Sequence, residues 1–325
     1  MKVCVYGAGA VGGHIAGRLM RAGADVSVIA RGPHLAAIRE NGLLIEAKDG
    51  TFHGRPKATD DARDIGEQDI VIVSVKAPSL PQIAGGLRPL LGAGTRVVFA
   101  MNGIPWWYFH AHGGPFDARR LDRIDPGGRV WSAASPDRVI GAIAYTACTV
   151  SRPGVIHAEN LRNRIILGRP DGVPDEQTDR LAALLAAGGL EIEVTDRIRD
   201  AIWAKLLMNL TGGTLGVLAA SAMRDALSHP ILGDVADRIA AEGAAIAQAL
   251  GCDPGDHGTV RARLSVSGHK QSILQDLELG RAMEIDALFR VPLEIARLAD
   301  VPTPTLDVVV ALVIQRAKAA GLYAE

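Results

Sequence analysis

Short continuous runs of apolar residues alternate with longer amphipathic stretches over the first hundred residues of the chain. Runs rich in β-branched residues predict strands at Lys2–Tyr6, Val26–Ala30, Ile70–Val75 and Arg96–Ala100. Apolar positions spaced closer to 3.6 than to 2 predict helices at Ala10–Arg21 and Leu80–Leu91. Strands that alternate with helices predict an α/β domain, and continuously apolar strands indicate a parallel sheet that is covered on both faces.

This alternation stops at Pro105 and resumes near Arg138, with one short helix predicted at Asp117–Leu121 in the Gly- and Pro-rich interval. Further strands are predicted at Val139–Val150, Gly154–His157, Arg164–Leu167 and Leu190–Val194, and a helix at Asp175–Ala187. From Thr195 onward only helices are predicted, over Arg197–Asn209, Ile231–Leu250, Glu284–Ala299 and Pro304 to about Lys318. The pattern therefore predicts an α/β domain over residues 1–194 and an all-helical domain over residues 195–325.

Composition narrows the classes of partner. The net charge is −1 and aromatic residues make up 4% of the 325 residues, so neither nucleic acid nor an anionic membrane is expected as a partner. The longest apolar run, Val308–Ile314, is far shorter than the ~18 residues of a spanning helix, and the first residues do not resemble a secretory leader. Three cysteines without a CxxC pair indicate neither a disulfide framework nor a zinc site, and no other metal site is expected. We expect a cytoplasmic protein.

A glycine-rich turn between the first strand and the first helix is the strongest motif. Gly7, Gly9 and Gly12 form the pattern G-x-G-x-x-G, which is weak alone but here joins a predicted strand to a predicted helix. Gly7 would permit the tight turn, Gly9 the close approach of a pyrophosphate, and Gly12 close packing of helix on strand. The pyrophosphate would bind N–H groups of the helix start, at Ala10 and Val11. The motif predicts a Rossmann-type dinucleotide-binding domain.

The end of the second predicted strand indicates which dinucleotide binds. An enzyme for NAD usually carries Asp or Glu there, whereas this chain has Arg31, a cation that suits the 2′-phosphate of NADP(H). The alternative is an ordinary solvated charge. Lys76 and Asn102 also follow strands at the carboxyl edge of the sheet, where ligands bind. The alternatives there are a solvated lysine and a common Asn-Gly turn.

An apolar helix with a single lysine carries the second signal. Lys205 is the only charge between Ala201 and Leu210, and Asn209 lies one turn away on the same face. A buried ammonium has a lowered pKa that suits proton transfer to a carbonyl oxygen, and Glu284 is its natural charge partner. The alternatives are a lysine that reaches solvent and a carboxylate at an ordinary helix start.

Taken in order, these residues resemble the ketopantoate reductase (2-dehydropantoate 2-reductase) family. The resemblance rests on the glycine motif with Arg31, on Lys76 and Asn102, on the Trp203-x-Lys205-x-x-x-Asn209 helix, and on Ser272 ahead of Glu284. It implies an oxidoreductase of pantothenate biosynthesis, in which NADPH reduces a 2-oxo acid, 2-dehydropantoate (ketopantoate), to a 2-hydroxy acid.

The resemblance also implies a role for each residue. Lys205 would be the general acid, and Glu284 would orient the lysine and the substrate hydroxyl. Asn102 and Asn209 would bind substrate or cofactor, Ser272 would hold the substrate carboxylate, and Lys76 would line the site.

Two departures from the family pattern leave the substrate open. The family usually has a substrate-binding Asn near residues 221–223, where this chain has Met223 at the last of those positions. The aromatic run Trp106–Phe109 would either pack a loop on its own domain or reshape the pocket for a bulkier oxo acid. The alternatives are therefore a paralogue for another oxo acid and a non-catalytic NADP(H)-sensing protein. The apolar helices would bury either a homodimer interface or only their own core.

Overall fold

The chain folds into two compact units. The computed structural model describes residues 1–324. The first unit contains Met1–Met101 and Trp106–Ile198, and the second contains Asn102–Pro105 together with the chain from Arg199 onward. The four-residue segment at 102–105 therefore belongs with the helical half, which the sequence does not predict.

The first unit contains all the strands of the described chain. They are β1 (Lys2–Tyr6), β2 (Asp25–Ile29), β3 (Leu43–Ala47), β4 (Gly50–Gly54), β5 (Lys57–Thr59), β6 (Gln68–Val73), β7 (Leu91–Ala100), β8 (Val139–Tyr145), β9 (Cys148–Arg152), β10 (Val155–Ala158), β11 (Arg164–Gly168) and β12 (Glu191–Val194). Helices connect them at α1 (Ala10–Arg21), α2 (Gly32–Asn41), α3 (Leu80–Leu87), α4 (Arg129–Ala134) and α5 (Glu176–Ala187).

Eight strands form one sheet in the order β12-β11-β8-β7-β6-β1-β2-β5. Every pair in it is parallel except β8 with β11, which run antiparallel. Strands β1 and β6 are almost completely buried, as continuously apolar strands of a two-sided sheet should be. The predicted doubly wound, Rossmann-type sheet is confirmed.

A second sheet, in the order β4-β3-β10-β9, was not predicted as a sheet. The second sheet packs closely on α1 because two positions of this helix are glycines. A Cβ on Gly13 would lie 2.8 Å from Ile156 Cγ1, and one on Gly17 would lie 2.2 Å from Ile45 Cγ1. Helix α1 therefore packs on the main sheet with one face and on the second sheet with another. Its buried residues run continuously from Gly12 to Leu19.

The long interval between β7 and β8 has a different structure from the one predicted. No helix forms at Asp117–Leu121, where Ala118 has a φ of 57°, a left-handed conformation that interrupts a right-handed helix. The helix of this interval is α4 instead. The predicted strand at Val139–Val150 is also interrupted, and forms β8 and β9 in different sheets.

The aromatic run of this interval belongs to the core of the first unit. Trp106, Trp107, Tyr108 and Phe109 are each exposed by 1% or less. The Trp106 ring packs edge-to-face on Phe99 of β7, at 5.3 Å between ring centroids. These four side chains therefore pack a loop on its own domain, as one of the two interpretations of the sequence expects.

The described part of the second unit is helical. Its helices are α6 (Ile198–Ala219), α7 (Met223–Ala226), α8 (Pro230–Ala249), α9 (Thr259–Ser265), α10 (Ser272–Glu278), α11 (Val291–Leu298) and α12 (Pro304–Ala319). The predicted helix over Glu284–Ala299 is replaced by a π-helical turn at Asp286–Arg290 followed by α11.

Helix α6 is longer and more apolar than the sequence pattern indicates. It has 22 residues, with a window of mean hydropathy 1.2 that is long enough to cross a membrane by length and composition alone. This corrects the expectation that no segment reaches that length. Because 67% of the window is buried inside the fold, α6 has the character of a core helix.

Candidate active site

The glycine turn lies at the carboxyl end of β1, in the first unit. Gly7 has a φ of 97°, and a Cβ there would lie 2.7 Å from Val75 Cγ1. A Cβ on Gly12 would lie 2.1 Å from Ser74 Oγ, so α1 packs too closely on the sheet for any side chain at that position. A Cβ on Gly9 would meet no atom within 4 Å. The space over Gly9 is therefore open to a bound group.

The start of α1 has the properties of an anion site. Gly9 is its N-cap, no side chain caps it, and no acidic residue lies in its first turn. The first N–H groups of a helix have no partner within the helix, and they carry partial positive charge. The backbone at Ala10 and Val11 therefore fits the pyrophosphate of a dinucleotide.

Two side chains that sequence reasoning missed fix this turn in place. The Ser74 hydroxyl donates to the Gly7 carbonyl at 2.7 Å. The His34 ring accepts from the Gly154 N–H at 3.0 Å through Nδ1, so its Nε2–H is the donor to the Ala8 carbonyl at 2.7 Å. Burial lowers the pKa of His34, which favours this neutral form. Neither residue belongs to the glycine motif, so only the three-dimensional contacts identify them.

Arg31 follows β2 and Lys76 follows β6, the two strands that flank β1 in the main sheet. Arg31 is exposed and precedes α2 as its N-cap. Burial raises the pKa of the Tyr6 hydroxyl, and the nearby Arg31 guanidinium opposes this rise. Lys76 is half-buried after β6. The first unit therefore brings one exposed cation to the end of β2, where a 2′-phosphate would be bound.

The second unit carries the other predicted site residues. Lys205 lies on α6, and burial lowers its pKa from 10.5 to about 8, while the charge of Glu284 opposes this effect. Glu284 is only 8% exposed and lies two residues before the π-helical turn. Asn209 follows Lys205 by one turn of α6, and its side-chain Nδ2 is buried without a hydrogen-bond partner in the described chain. This buried donor is therefore available to a polar group bound beside it.

Asn102 belongs to the 102–105 segment, whose backbone contacts the helical unit at Ile104. The Ile104 N–H donates to the Ala287 carbonyl at 2.9 Å. That carbonyl is available because its partner in the π ladder would be the N–H of residue 292, which is a proline. Gly103 is required beside it, since a Cβ there would lie 2.3 Å from the Ala287 oxygen. The π-helical turn thereby attaches Asn102 to the unit that carries Glu284.

Ser272 is the first residue of α10 and is exposed. The structure thus places Asn102, Lys205, Asn209, Ser272 and Glu284 in one unit, and the glycine turn, Arg31 and Lys76 in the other.

Comparison with known proteins identifies the family. The profile described as ketopantoate reductase PanE/ApbA matches residues 3–172, and the profile for the C-terminal part of the same family matches residues 197–317. The 2-dehydropantoate 2-reductase of Mesorhizobium japonicum is 43% identical over 99% of this chain and 100% of its own length. The chain belongs to the ketopantoate reductase family.

Solved structures agree with this assignment. A candidate ketopantoate reductase from Ralstonia solanacearum MolK2 has a TM-score of 0.92 and 39% identity, with 99% of both chains covered. A D-mandelate dehydrogenase in complex with NADH and anilino(oxo)acetate has a TM-score of 0.83 at 20% identity over 99% of this chain and 100% of its own, which shows a shared fold. The family consists of nicotinamide-dependent oxidoreductases, and this member is an oxidoreductase.

The resemblance to the ketopantoate reductase family implies an Asn near residues 221–223, shortly after the end of α6. Met223, in the stretch where an Asn is expected, is fully buried. Its Sδ would lie 3.8 Å from a Cβ placed on Gly216 of α6. An apolar side chain therefore packs beside Gly216 and covers this end of the α6 surface.

Proposed function

We propose that the chain reduces a 2-oxo acid to a 2-hydroxy acid with NADPH, and that 2-dehydropantoate is the first substrate to test. The observation that carries the proposal is Lys205, whose pKa of about 8 makes it a proton donor near neutral pH. Family membership supports this reaction class.

Each side chain has one task in this scheme. NADPH, when bound, supplies the hydride. Lys205 gives its proton to the carbonyl oxygen, and Glu284 orients the ammonium and stabilises its charged form. Asn102 and Asn209 bind substrate or cofactor, and Ser272 holds the substrate carboxylate. These assignments are proposals, supported by the presence of all five residues in one unit.

The preference for NADP(H) over NAD(H) is a separate proposal. It is supported by Arg31, which stands where a carboxylate would bind the ribose of NAD. Lys76 and the backbone at the glycine turn complete the proposed cofactor site. We expect Arg31→Ala to weaken NADPH binding at least tenfold in a fluorescence titration and to leave NADH binding unchanged. Equal affinity of the variant and the wild type for NADPH would contradict this assignment.

Steady-state oxidation of NADPH with a panel of 2-oxo acids, 2-dehydropantoate included, tests the proposed reaction. We expect saturable turnover that Lys205→Met reduces at least a hundredfold in kcat with unchanged NADPH affinity, because one general acid typically contributes 10²–10⁴-fold. Lys48→Met, at an exposed position, is the matched control. A flat response to every acid would contradict the proposal and favour NADP(H) sensing without turnover.

Met223 is the observation that favours a second candidate, reduction of a different oxo acid, since an apolar residue closes the end of the α6 surface. The same panel separates the two candidates by kcat/KM. We further propose a cytoplasmic location, which is supported by three cysteines that form no disulfide in the described chain.

A further inference from the structure

One narrow face of α6 carries two polar side chains followed by two glycines. Lys205, Asn209, Gly212 and Gly216 are spaced by four, three and four residues. At 100° per residue these four positions fall within about 60° of the helix circumference. They form a straight row along α6, with side chains at the first two positions and none at the two glycines.

The side chain of Gln271 packs over the two glycines of this row. A Cβ on Gly212 would lie 3.1 Å from Gln271 Cδ and 3.3 Å from its Nε2, and a Cβ on Gly216 would lie 3.6 Å from its Cγ. Gln271 is the residue before α10, and its backbone is extended with a ψ of 145°. Because three residues of a helix rise about 4.5 Å, the Gln271 amide lies roughly one turn beyond Asn209.

The Gln271 amide has hydrogen-bonding capacity that the fold does not use. In residues 1–324 it makes no side-chain hydrogen bond, although the residue is half-buried. By contrast, Gln275 of α10 donates from Nε2 to the Lys270 carbonyl at 2.8 Å. The buried Nδ2 of Asn209 is also without a partner in the described chain. The buried Asn209 donor and the half-buried Gln271 amide therefore offer hydrogen bonds to a polar group bound along this row.

The order of groups along the row suggests which part of a ligand each one meets. Lys205 stands at one end, where the proposed reaction places the carbonyl oxygen. Met223 closes the other end with an apolar side chain. Gln271 therefore lies between, about two helical turns from Lys205, where a substituent distant from the carbonyl would be found.

We propose that Gln271 is a specificity-determining residue that binds a polar group, such as a hydroxyl, carried by the substrate beyond its 2-oxo carbon. This inference rests on the proposed function, since it assumes that Lys205 meets the carbonyl. Gln271 thereby selects oxo acids with a distal polar substituent over aliphatic ones. Glycine at position 212 positions the amide for this contact.

A matched pair of substrates tests this selection. 2-Dehydropantoate and 3,3-dimethyl-2-oxobutanoate differ only in the terminal hydroxyl. We expect the wild type to prefer the hydroxylated acid in kcat/KM, and Gln271→Leu to reduce that preference about tenfold, as for the loss of one hydrogen bond. The kcat/KM for the acid without the hydroxyl and the NADPH affinity should remain unchanged, which a merely structural defect would not allow.

Two further variants separate positioning from packing. A Cβ on Gly212 would lie 3.0 Å from Leu264 Cδ2 and 3.1 Å from Gln271 Cδ. Gly212→Ala should therefore displace the Gln271 amide and reduce the preference in the same way, and the double variant should be no worse than either single one. Gln248→Leu, at an exposed position of α8, is the control and should behave as wild type.

The outcomes are distinct. A wild type that turns over both acids with a preference that Gln271→Leu leaves intact overturns the inference alone, as does an equal loss for both acids or a wild type without preference. A wild type that reduces neither acid contradicts the proposed function and the inference together.

Discussion

At the scale of single residues, the pKa of Lys205 is set by two opposing effects. Burial favours the neutral amine, and the carboxylate of Glu284 favours the ammonium. The resulting pKa of about 8 keeps the side chain mostly protonated at neutral pH. A general acid needs this balance, since it must hold its proton and yet release it readily.

The balance predicts the pH dependence of the reaction. The protonated form of Lys205 is the active one, so kcat/KM should fall tenfold per pH unit above about pH 8. Glu284→Gln removes the charge that raises the pKa of Lys205, so this limb should move to lower pH. Initial rates between pH 5 and 10 measure the shift, with Glu278→Gln at an exposed position as control. A limb that stays in place in Glu284→Gln would contradict the coupling.

Single residues also show where sequence patterns stop being informative. The glycine turn and Lys205 were identified because their signal is local: a motif between two elements, and one charge in an apolar helix. His34, Ser74 and Gln271 were not, because their partners are distant in the chain. The His34 ring joins Ala8 to Gly154, and nothing near position 34 in the sequence indicates this.

At the scale of elements, predictions from local patterns are correct, whereas elements that depend on distant partners were missed or mispredicted. Strand β1 and helix α1 have the predicted ends because the glycine motif lies between them. The second sheet was missed because it depends on the parallel pairing of β10 with β3, which are more than a hundred residues apart. The interval before β8 was mispredicted because its conformation depends on buried aromatic side chains and on left-handed residues such as Ala118.

The π-helical turn joins the element scale to the candidate site. Its Ala287 carbonyl holds the backbone of the 102–105 segment, so the position of Asn102 depends on this turn. Gly103 has a φ of 82° and lies against that carbonyl. Its substitution therefore has two costs, a left-handed backbone and a steric overlap.

A matched pair of glycines separates these costs. Gly113 also has a positive φ, of 73°, but a Cβ there would meet nothing within 4 Å. Gly113→Ala should lose about 1–2 kcal/mol of stability and keep its activity. Gly103→Ala should lose more stability and at least tenfold in kcat/KM, because Asn102 is displaced. Thermal melts and steady-state rates measure both, and equal activity of the two variants would contradict the role of the 102–105 contact.

At the scale of the whole molecule, the first unit contains a buried network of charged and titratable side chains. The first unit holds a fully buried Arg18, which donates to Asp49 at 2.5 and 2.7 Å and through Nε to His14 Nε2 at 3.0 Å. Because His14 accepts this hydrogen bond, its Nε2 must be unprotonated. Burial, with the Arg18 charge added, lowers the pKa of His14 from 6.5 to about 4.

This histidine makes the first unit sensitive to mild acid. Above pH 6.5 His14 is neutral in both the folded and the unfolded chain, so its contribution to stability is complete. Between pH 6.5 and 4 only the unfolded chain takes up the proton, and the free energy of unfolding should fall by about 3 kcal/mol in total. The Asp49 carboxyl, whose pKa the Arg18 hydrogen bond lowers, loses its contribution only at more acidic pH.

Urea unfolding at pH 7.0 and pH 4.5 tests this window. Three of the four tryptophans lie in the first unit, so Trp203→Phe makes the fluorescence specific to it. We expect the midpoint at pH 4.5 to fall clearly below that at pH 7.0. His14→Gln, whose side-chain oxygen still accepts from Arg18, should remove most of the difference because glutamine does not titrate. His157→Gln, at an exposed position of β10, is the control and should keep the full difference. If His14→Gln retains the same dependence on pH, the acid sensitivity does not arise from this buried histidine.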